Sequence, residues 1–252
     1  MKKSISFLMI TIIAFSCKSE QSHLKSDLAT ANIKGNVWKI DKTIHNAHGS
    51  CVCPAAMKTE CNQSKYVYDE KGNLLKSYTI DENGSVNDSS KYVYSRSGLC
   101  SEITKFTRKK LAGKEVPILK GDRVTGVKVY DENGRIESTL NYVYSGNEIS
   151  EEKTLNGKSD VVSSVQNDFL NGRLVIQTEK DDKGNIIRIS KFKRNATNDV
   201  VECLIVLTKD NKEYKITYEY EYDKAGNWIK QTKFYVRQIV NIVIRNIEYY
   251  TA

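Results

Sequence analysis

Tyr214-Lys215-Ile216-Thr217-Tyr218-Glu219-Tyr220-Glu221-Tyr222-Asp223-Lys224-Ala225-Gly226-Asn227-Trp228-Ile229-Lys230 is the stretch whose reading decides the fold. Tyr214, Ile216, Tyr218, Tyr220 and Tyr222 fall on one face, and Lys215, Thr217, Glu219 and Glu221 fall on the other. A period of two held this long is a strand pattern that a helix cannot satisfy. The segment then reverses. The Asp223 carboxylate can accept the backbone N–H two residues on, and Gly226 can take the positive φ that closes a type I turn with a G1 bulge. The stretch therefore predicts strand, turn, strand.

The same punctuation recurs on both sides of it. Tyr68-Asp69-Glu70-Lys71-Gly72-Asn73 and Tyr130-Asp131-Glu132-Asn133-Gly134-Arg135 are close copies, and Asp81-Glu82-Asn83-Gly84 and Asp181-Asp182-Lys183-Gly184 are degenerate ones. Successive turn glycines are often 11 to 15 residues apart, as from 72 to 84 and from 172 to 184. Asp69, Gly72, Asp131, Gly134, Asp223 and Gly226 are thus turn formers. Tyr66 with Tyr68, Tyr92 with Tyr94, and Tyr142 with Tyr144 repeat the Tyr-x-Tyr theme before a turn. Fifteen Tyr against three Met suits strands. Spacing of this kind implies about fourteen strands.

Tyr-Asp-x-x-Gly-Asn followed by an apolar residue resembles the YD repeat of the RHS family, and the chain from 33 to 252 resembles small YD-repeat-like bacterial lipoproteins of unknown function. In the large RHS proteins such repeats build a β-sheet shell linked to carbohydrate binding or toxin delivery. The expected fold is all-β, an antiparallel meander of YD-like β-hairpin repeats forming a twisted, curled sheet. A closed or half-open β-barrel is the alternative, since closure removes the sheet edges.

The N-terminus carries an address. Met1-Lys2-Lys3-Ser4 is a positive n-region, and an apolar run follows from Ile5 to Phe15. Eleven helical residues rise about 16 Å, short of the roughly 30 Å of a bilayer core, so the run reads as a signal-peptide h-region. Ala14-Phe15-Ser16-Cys17 resembles a lipobox, in which the chain is cleaved before a lipidated Cys. The resulting division is a signal peptide over 1–16, lipidated Cys17 with a flexible tether over 17–32, and one β-repeat domain over 33–252. That division implies export to the cell envelope, lipid-anchored in the outer membrane of a Gram-negative bacterium.

Net charge is +8 for the whole chain and +6 without Lys2 and Lys3. The basic residues are dispersed, with Arg108-Lys109-Lys110 and Lys191-Phe192-Lys193-Arg194 the densest groups. A nucleic-acid partner would need a continuous basic stripe, so none is expected.

One segment breaks the repeat: His45, His48, Cys51, Cys53 and Cys61 lie within seventeen residues. In an exported protein this predicts a disulfide clip of Cys51 or Cys53 with Cys61, and Cys100 with Cys203 is a second candidate pair. The competing readings are tetrahedral zinc on His45, His48, Cys51, Cys53 and Cys61 and unpaired residues that are merely loop-borne. The zinc spacing matches no known knuckle, and no cofactor is expected. Nucleophile-elbow, zincin, P-loop and dinucleotide motifs are all missing from the sequence. The expected function is a non-enzymatic binding or interaction module. Tyr66, Tyr68, Tyr92, Tyr94, Tyr142, Tyr144, Tyr218, Tyr220 and Trp228 are the candidate contacts to an envelope protein or glycan. Alternatives are a carrier of lipid or another apolar ligand and, further off, a metal-dependent enzyme.

The address is directly testable. Cells expressing the protein and fed a tagged fatty acid should label it and hold it in the membrane fraction. Cys17→Ala should abolish the label and release the protein; equal labelling of the variant would refute lipidation at Cys17.

Overall fold

The computed structural model describes residues 27–46, 61–81 and 83–251. One helical turn, α1 (Asp27–Thr30), precedes sixteen strands. These are β1 (Val37–Asn46), β2 (Cys61–Tyr68), β3 (Leu74–Ile80), β4 (Val86–Tyr94), β5 (Cys100–Thr107), β6 (Lys110–Lys120), β7 (Arg123–Asp131) and β8 (Ile136–Ser145). They continue as β9 (Glu148–Asn156), β10 (Val161–Leu170), β11 (Arg173–Lys180), β12 (Ile186–Arg194), β13 (Val200–Leu207), β14 (Lys212–Tyr222), β15 (Trp228–Tyr235) and β16 (Gln238–Tyr249). Each strand pairs antiparallel with the next, and β1 pairs with β16, so the meander closes into a barrel. The all-β meander expected from the sequence is present. Its sheet takes the closed alternative rather than the open curl, because the long β16 lies along the whole of β1, from Tyr249 opposite Val37 to Asn241 opposite Asn46.

The turns follow one rule. At Asp131 the backbone N–H donates to the Arg135 carbonyl (2.9 Å) and Gly134 N–H donates to the Asp131 carbonyl (3.1 Å). Asp131 Oδ1 also accepts from the backbone N–H of Asn133 (2.9 Å) and of Arg135 (2.8 Å). These N–H donors, that of Arg135 first, hold the Asp131 carboxyl below the usual range. Asp69, Asp81 and Asp181 build the same double acceptance. Gly72, Gly134 and Gly226 sit at φ +80°, +76° and +80°, where a Cβ would be strained. Where Asn156 and Asn195 replace the Asp, Ser159 and Asn198 take the left-handed position instead.

A second regularity ties several hairpins to their neighbours. Tyr94 Oη donates to the Leu74 carbonyl (2.9 Å), Tyr144 Oη to Val124 (2.6 Å) and Tyr220 Oη to Val200 (2.7 Å), each twenty residues back. Arg194 Nε makes the same link to Leu174 at 3.3 Å. Tyr94, Tyr144 and Tyr220, each the second member of a Tyr-x-Tyr pair, are therefore clasps at the rim.

Alternation sorts the two faces. Tyr92, Tyr94, Tyr142, Tyr144, Tyr218 and Tyr220 point inward and are partly buried, while Lys91, Val93, Asn141, Val143, Glu219 and Glu221 are exposed on the outer wall. Opposite charges meet across the outer seams: Lys39 with Glu248 (2.6 Å), Glu102 with Lys114 (3.2 Å), and Glu202 with both Lys193 and Lys215 (2.8 Å each). The two rims are equally distinct. Turns after the even-numbered strands share one rim with α1, and turns after the odd-numbered strands form the other.

Asp223 serves both the turn and the seam. Its Oδ1 accepts from Asn227 N–H (2.9 Å) and its Oδ2 from Tyr249 Oη (2.5 Å). Asp223→Ala should lower stability by roughly 1–3 kcal/mol, read as a lower midpoint in urea. An unchanged midpoint would contradict the role given to this turn.

Candidate ligand cavity under the N-terminal segment

Residues 27–36 lie across the rim that holds the even-strand turns. Leu28 N–H donates to the Gly72 carbonyl (3.1 Å), and Asp27 Oδ2 accepts from Leu74 N–H (2.6 Å) and Tyr94 Oη (2.5 Å). Further along, Asn32 Nδ2 donates to the Thr197 carbonyl (2.9 Å), and Lys34 N–H donates to Asn227 Oδ1 (2.7 Å). Asn227 Nδ2 returns a bond to the Lys34 carbonyl (2.8 Å). The segment thus bridges the β2–β3 turn to the β12–β13 and β14–β15 turns. Leu28, only 4% exposed, and Ile33 pack with Val37, Ile40, Tyr68 and Leu74 in one apolar cluster.

This moves one boundary expected from the sequence. Residues 27–32, read as part of a tether, belong to the barrel because Leu28 and Ile33 complete its apolar plug. Residues 1–26, expected from the sequence to hold a signal peptide over 1–16, the lipidation site Cys17 and most of the tether, lie outside the described residues.

Beneath residues 29–32 is a cavity of about 830 Å³, walled by β9 to β15. Ile149, Phe169, Leu174, Phe192, Tyr218 and Tyr220 give it an apolar and aromatic lining. Most of its polar groups are engaged. Gln177 Nε2 donates to Asn167 Oδ1 (3.1 Å), Asn167 Nδ2 to the Ile149 carbonyl (3.1 Å), Gln231 Nε2 to Tyr220 Oη (2.9 Å) and Arg194 Nη1 to the Asn198 carbonyl (2.9 Å). Burial pushes the Tyr220 phenol up to about 12 and pulls the Arg194 guanidinium down.

Glu152 is the exception. It is 8% exposed, lines the cavity, and has no hydrogen-bond or ion-pair partner among the described residues. Burial pushes its carboxyl above the usual range. Asn198 Oδ1, also on the cavity wall, is buried without a partner. An unpartnered carboxyl and an unpartnered carbonyl oxygen amid aromatic rings can fix the polar end of a small amphiphilic molecule.

The residues singled out from the sequence are dispersed by the barrel. Tyr218 and Tyr220 line this cavity. Tyr142 stands opposite Glu152 on the neighbouring strand, and burial raises its phenol. Tyr66, Tyr68 and Tyr92 pack at the apolar cluster, and Tyr94 clasps Asp27. Trp228 lies edge-on to Tyr220, with ring centroids 6.0 Å apart. These aromatics face the interior, so they do not form a tyrosine row on the outer wall.

Cys100 and Cys203 are free thiols. The bridge between them that the sequence left open is not made, because they sit on β5 and β13, far around the barrel. Burial pushes the Cys100 thiol up to about 11. His45 pairs with Cys61 in register across β1 and β2, while His48, Cys51 and Cys53 lie outside the described residues. Among the described residues no cluster of metal-ligating side chains forms.

Glu152 and its place in the cavity were missed by sequence reasoning. Glu151-Glu152 reads as a solvated pair. In the barrel Glu151 pairs outward with Lys153 (3.4 Å) while Glu152 turns inward. Register alone separates them.

The fold and cavity define a closed, antiparallel sixteen-stranded barrel plugged at one rim. No family model matches the chain, and no curated protein matches it. Among solved structures, a porin-like protein from Bacteroides uniformis has the same fold. It is 12% identical with a TM-score of 0.59, covering 84% of this chain and 96% of its own. A porin-like protein from Bacteroides vulgatus (11% identity, TM-score 0.43, 87% of this chain and 100% of its own) resembles it more weakly. So does a putative outer membrane lipoprotein-sorting protein domain from Vibrio parahaemolyticus (9%, 0.30, 88% and 90%).

The raised Glu152 pKa gives a signed prediction. A carboxyl held above its unfolded value favours the folded state at low pH, and that contribution is lost as pH rises through the folded value. Glu152→Gln should therefore be more stable than the parent at pH 7, by roughly 1–2 kcal/mol. The gap should close below about pH 4, near the unfolded carboxyl value. Thermal melts across that range check it; a variant less stable than the parent at pH 7 would contradict the assignment.

Proposed function

We propose that the protein is an exported, lipid-anchored, non-enzymatic binding barrel that carries a small amphiphilic ligand in its interior. The observation that carries this reading is the cavity of about 830 Å³ under residues 29–32, in which Glu152 is buried without a partner among aromatic side chains. Pockets of several hundred Å³ with few, convergent polar groups suit a ligand of small-molecule size. The Tyr-Asp-x-x-Gly-Asn hairpins make it, on this reading, a short closed relative of YD-repeat shells, with the anchor at Cys17 holding it in the envelope.

The neighbour from Bacteroides uniformis is described as porin-like, and a pore through the bilayer is the natural second reading. The outer wall argues against it. A membrane barrel needs an apolar outer band about 25 Å tall, and a Lys or Arg at its midplane costs about 2–4 kcal/mol. Here the outer wall carries Lys91, Lys128, Lys191, Lys193, Lys215 and Glu219, all exposed. Such a wall belongs in water, with the membrane reached through the lipid anchor.

Native mass spectrometry of the full chain purified from its membrane should reveal a bound organic species beyond the lipidated protein. Phe192→Ala with Glu152→Gln should reduce its occupancy by about tenfold or more. A native mass equal to the lipidated chain alone in every preparation would refute the carrier reading.

A further inference from the structure

Several cations at the strand seams of this barrel are answered by acids. Outside, Lys39 meets Glu248 and Lys230 meets Glu221. On the inner face Lys105 meets Glu115 across β5–β6 and Arg188 meets Glu179 across β11–β12. At the closing seam the pattern breaks. Lys42 of β1 stands directly opposite Arg245 of β16. Both lie on the inner face, two residues from the Ile40–Ile247 pair that packs in the apolar cluster. Directly opposed side chains have Cβ atoms about 5 Å apart, and like charges there are destabilising.

Nothing among the described residues neutralises this pair. Neither Lys42 nor Arg245 has an ion-pair partner there, and the Asp199 carboxylate acts on Arg245 only from a distance. Asp199 itself accepts from Thr197 Oγ1 (2.7 Å) and Tyr222 Oη (2.9 Å). The Arg245 guanidinium is stacked on Trp228, its central carbon 3.2 Å from the ring centroid. Stacking fixes the plane of the guanidinium and leaves its N–H edge to form bonds. Desolvation pulls the Arg245 guanidinium down to about 10, and desolvation together with Arg245 pulls the Lys42 ammonium down.

We propose that Lys42 and Arg245 form an oxyanion site inside the barrel, taking a phosphate or carboxylate group, with Trp228 as the floor under the guanidinium. A bound oxyanion converts a repelling pair into two charge-assisted contacts, one of them able to be bidentate. Lys42, Arg245 and Trp228 do not line the Glu152 cavity, although Trp228 lies against Tyr220 of its wall, and the site does not rest on the carrier reading.

The test uses the full chain with Trp38→Phe, leaving Trp228 as the fluorescent reporter. It is titrated with inorganic phosphate, with dihexanoyl phosphatidic acid below its micelle concentration, and with succinate, each against chloride at matched ionic strength. At least one oxyanion should change Trp228 emission and raise the melting temperature saturably. A response to inorganic phosphate or succinate identifies a free anion as sufficient, and a response confined to the short-chain lipid identifies a headgroup. Lys42→Met should weaken the response by about tenfold or more, yet melt above the parent in low salt without anion, since it relieves the opposed charges. Arg245→Lys should weaken it too, by losing the planar fork, while Glu152→Gln should leave it intact. No saturable response to any of the three, or equal responses from parent and Lys42→Met, would overturn the proposal.

Discussion

The pairing of β1 with β16 is the contact on which the rest of the molecule depends. A meander of hairpins has two free edges, each a row of unpaired N–H and C=O groups that invites association with other chains. Laying the last strand along the first removes both edges at once. It also fixes the order of all neighbours, so that turns gather on two rims and every second side chain shares one interior. The N-terminal segment can plug a rim only because closure creates one.

Two repeated devices make closure reachable. The aspartate-led turn returns the chain with fixed geometry, since one carboxylate oxygen accepts two backbone N–H groups and glycine takes the left-handed position. The rim clasp from Tyr94, Tyr144 and Tyr220 to carbonyls twenty residues back holds successive hairpins at a constant offset. Tyrosine suits this duty because its ring fills interior volume while its hydroxyl reaches a backbone acceptor. The abundance of Tyr and its spacing before turns thus have a structural origin, and the Tyr-x-Tyr pairs need no surface partner to account for them.

The barrel carries charged side chains on both faces, which separates it from a solidly packed small barrel. Sixteen strands enclose more space than their own side chains fill. That leaves room for ion pairs such as Arg188 with Glu179 inside, for the Glu152 cavity, and for the opposed Lys42 and Arg245. Fully buried apolar residues concentrate instead where the plug meets the wall, around Leu28, Val37 and Ile40.

By itself the sequence determined the local structure: strands at Tyr214–Tyr222 and its counterparts, reversals at Asp69, Asp131 and Asp223, and a meander as their sum. These follow from interactions spanning a few residues, between a side chain and its own backbone or within a period of two. Whether the sheet closed, and what its interior held, was decided only by tertiary structure. Closure is a contact between residues some two hundred positions apart, as in Val37 with Tyr249, and no local period encodes it. Glu152 and Glu151 look alike in the sequence and differ only because pairing register turns one into the cavity and the other to water. Leu28 likewise reads as part of a polar tether until the rim it fills exists.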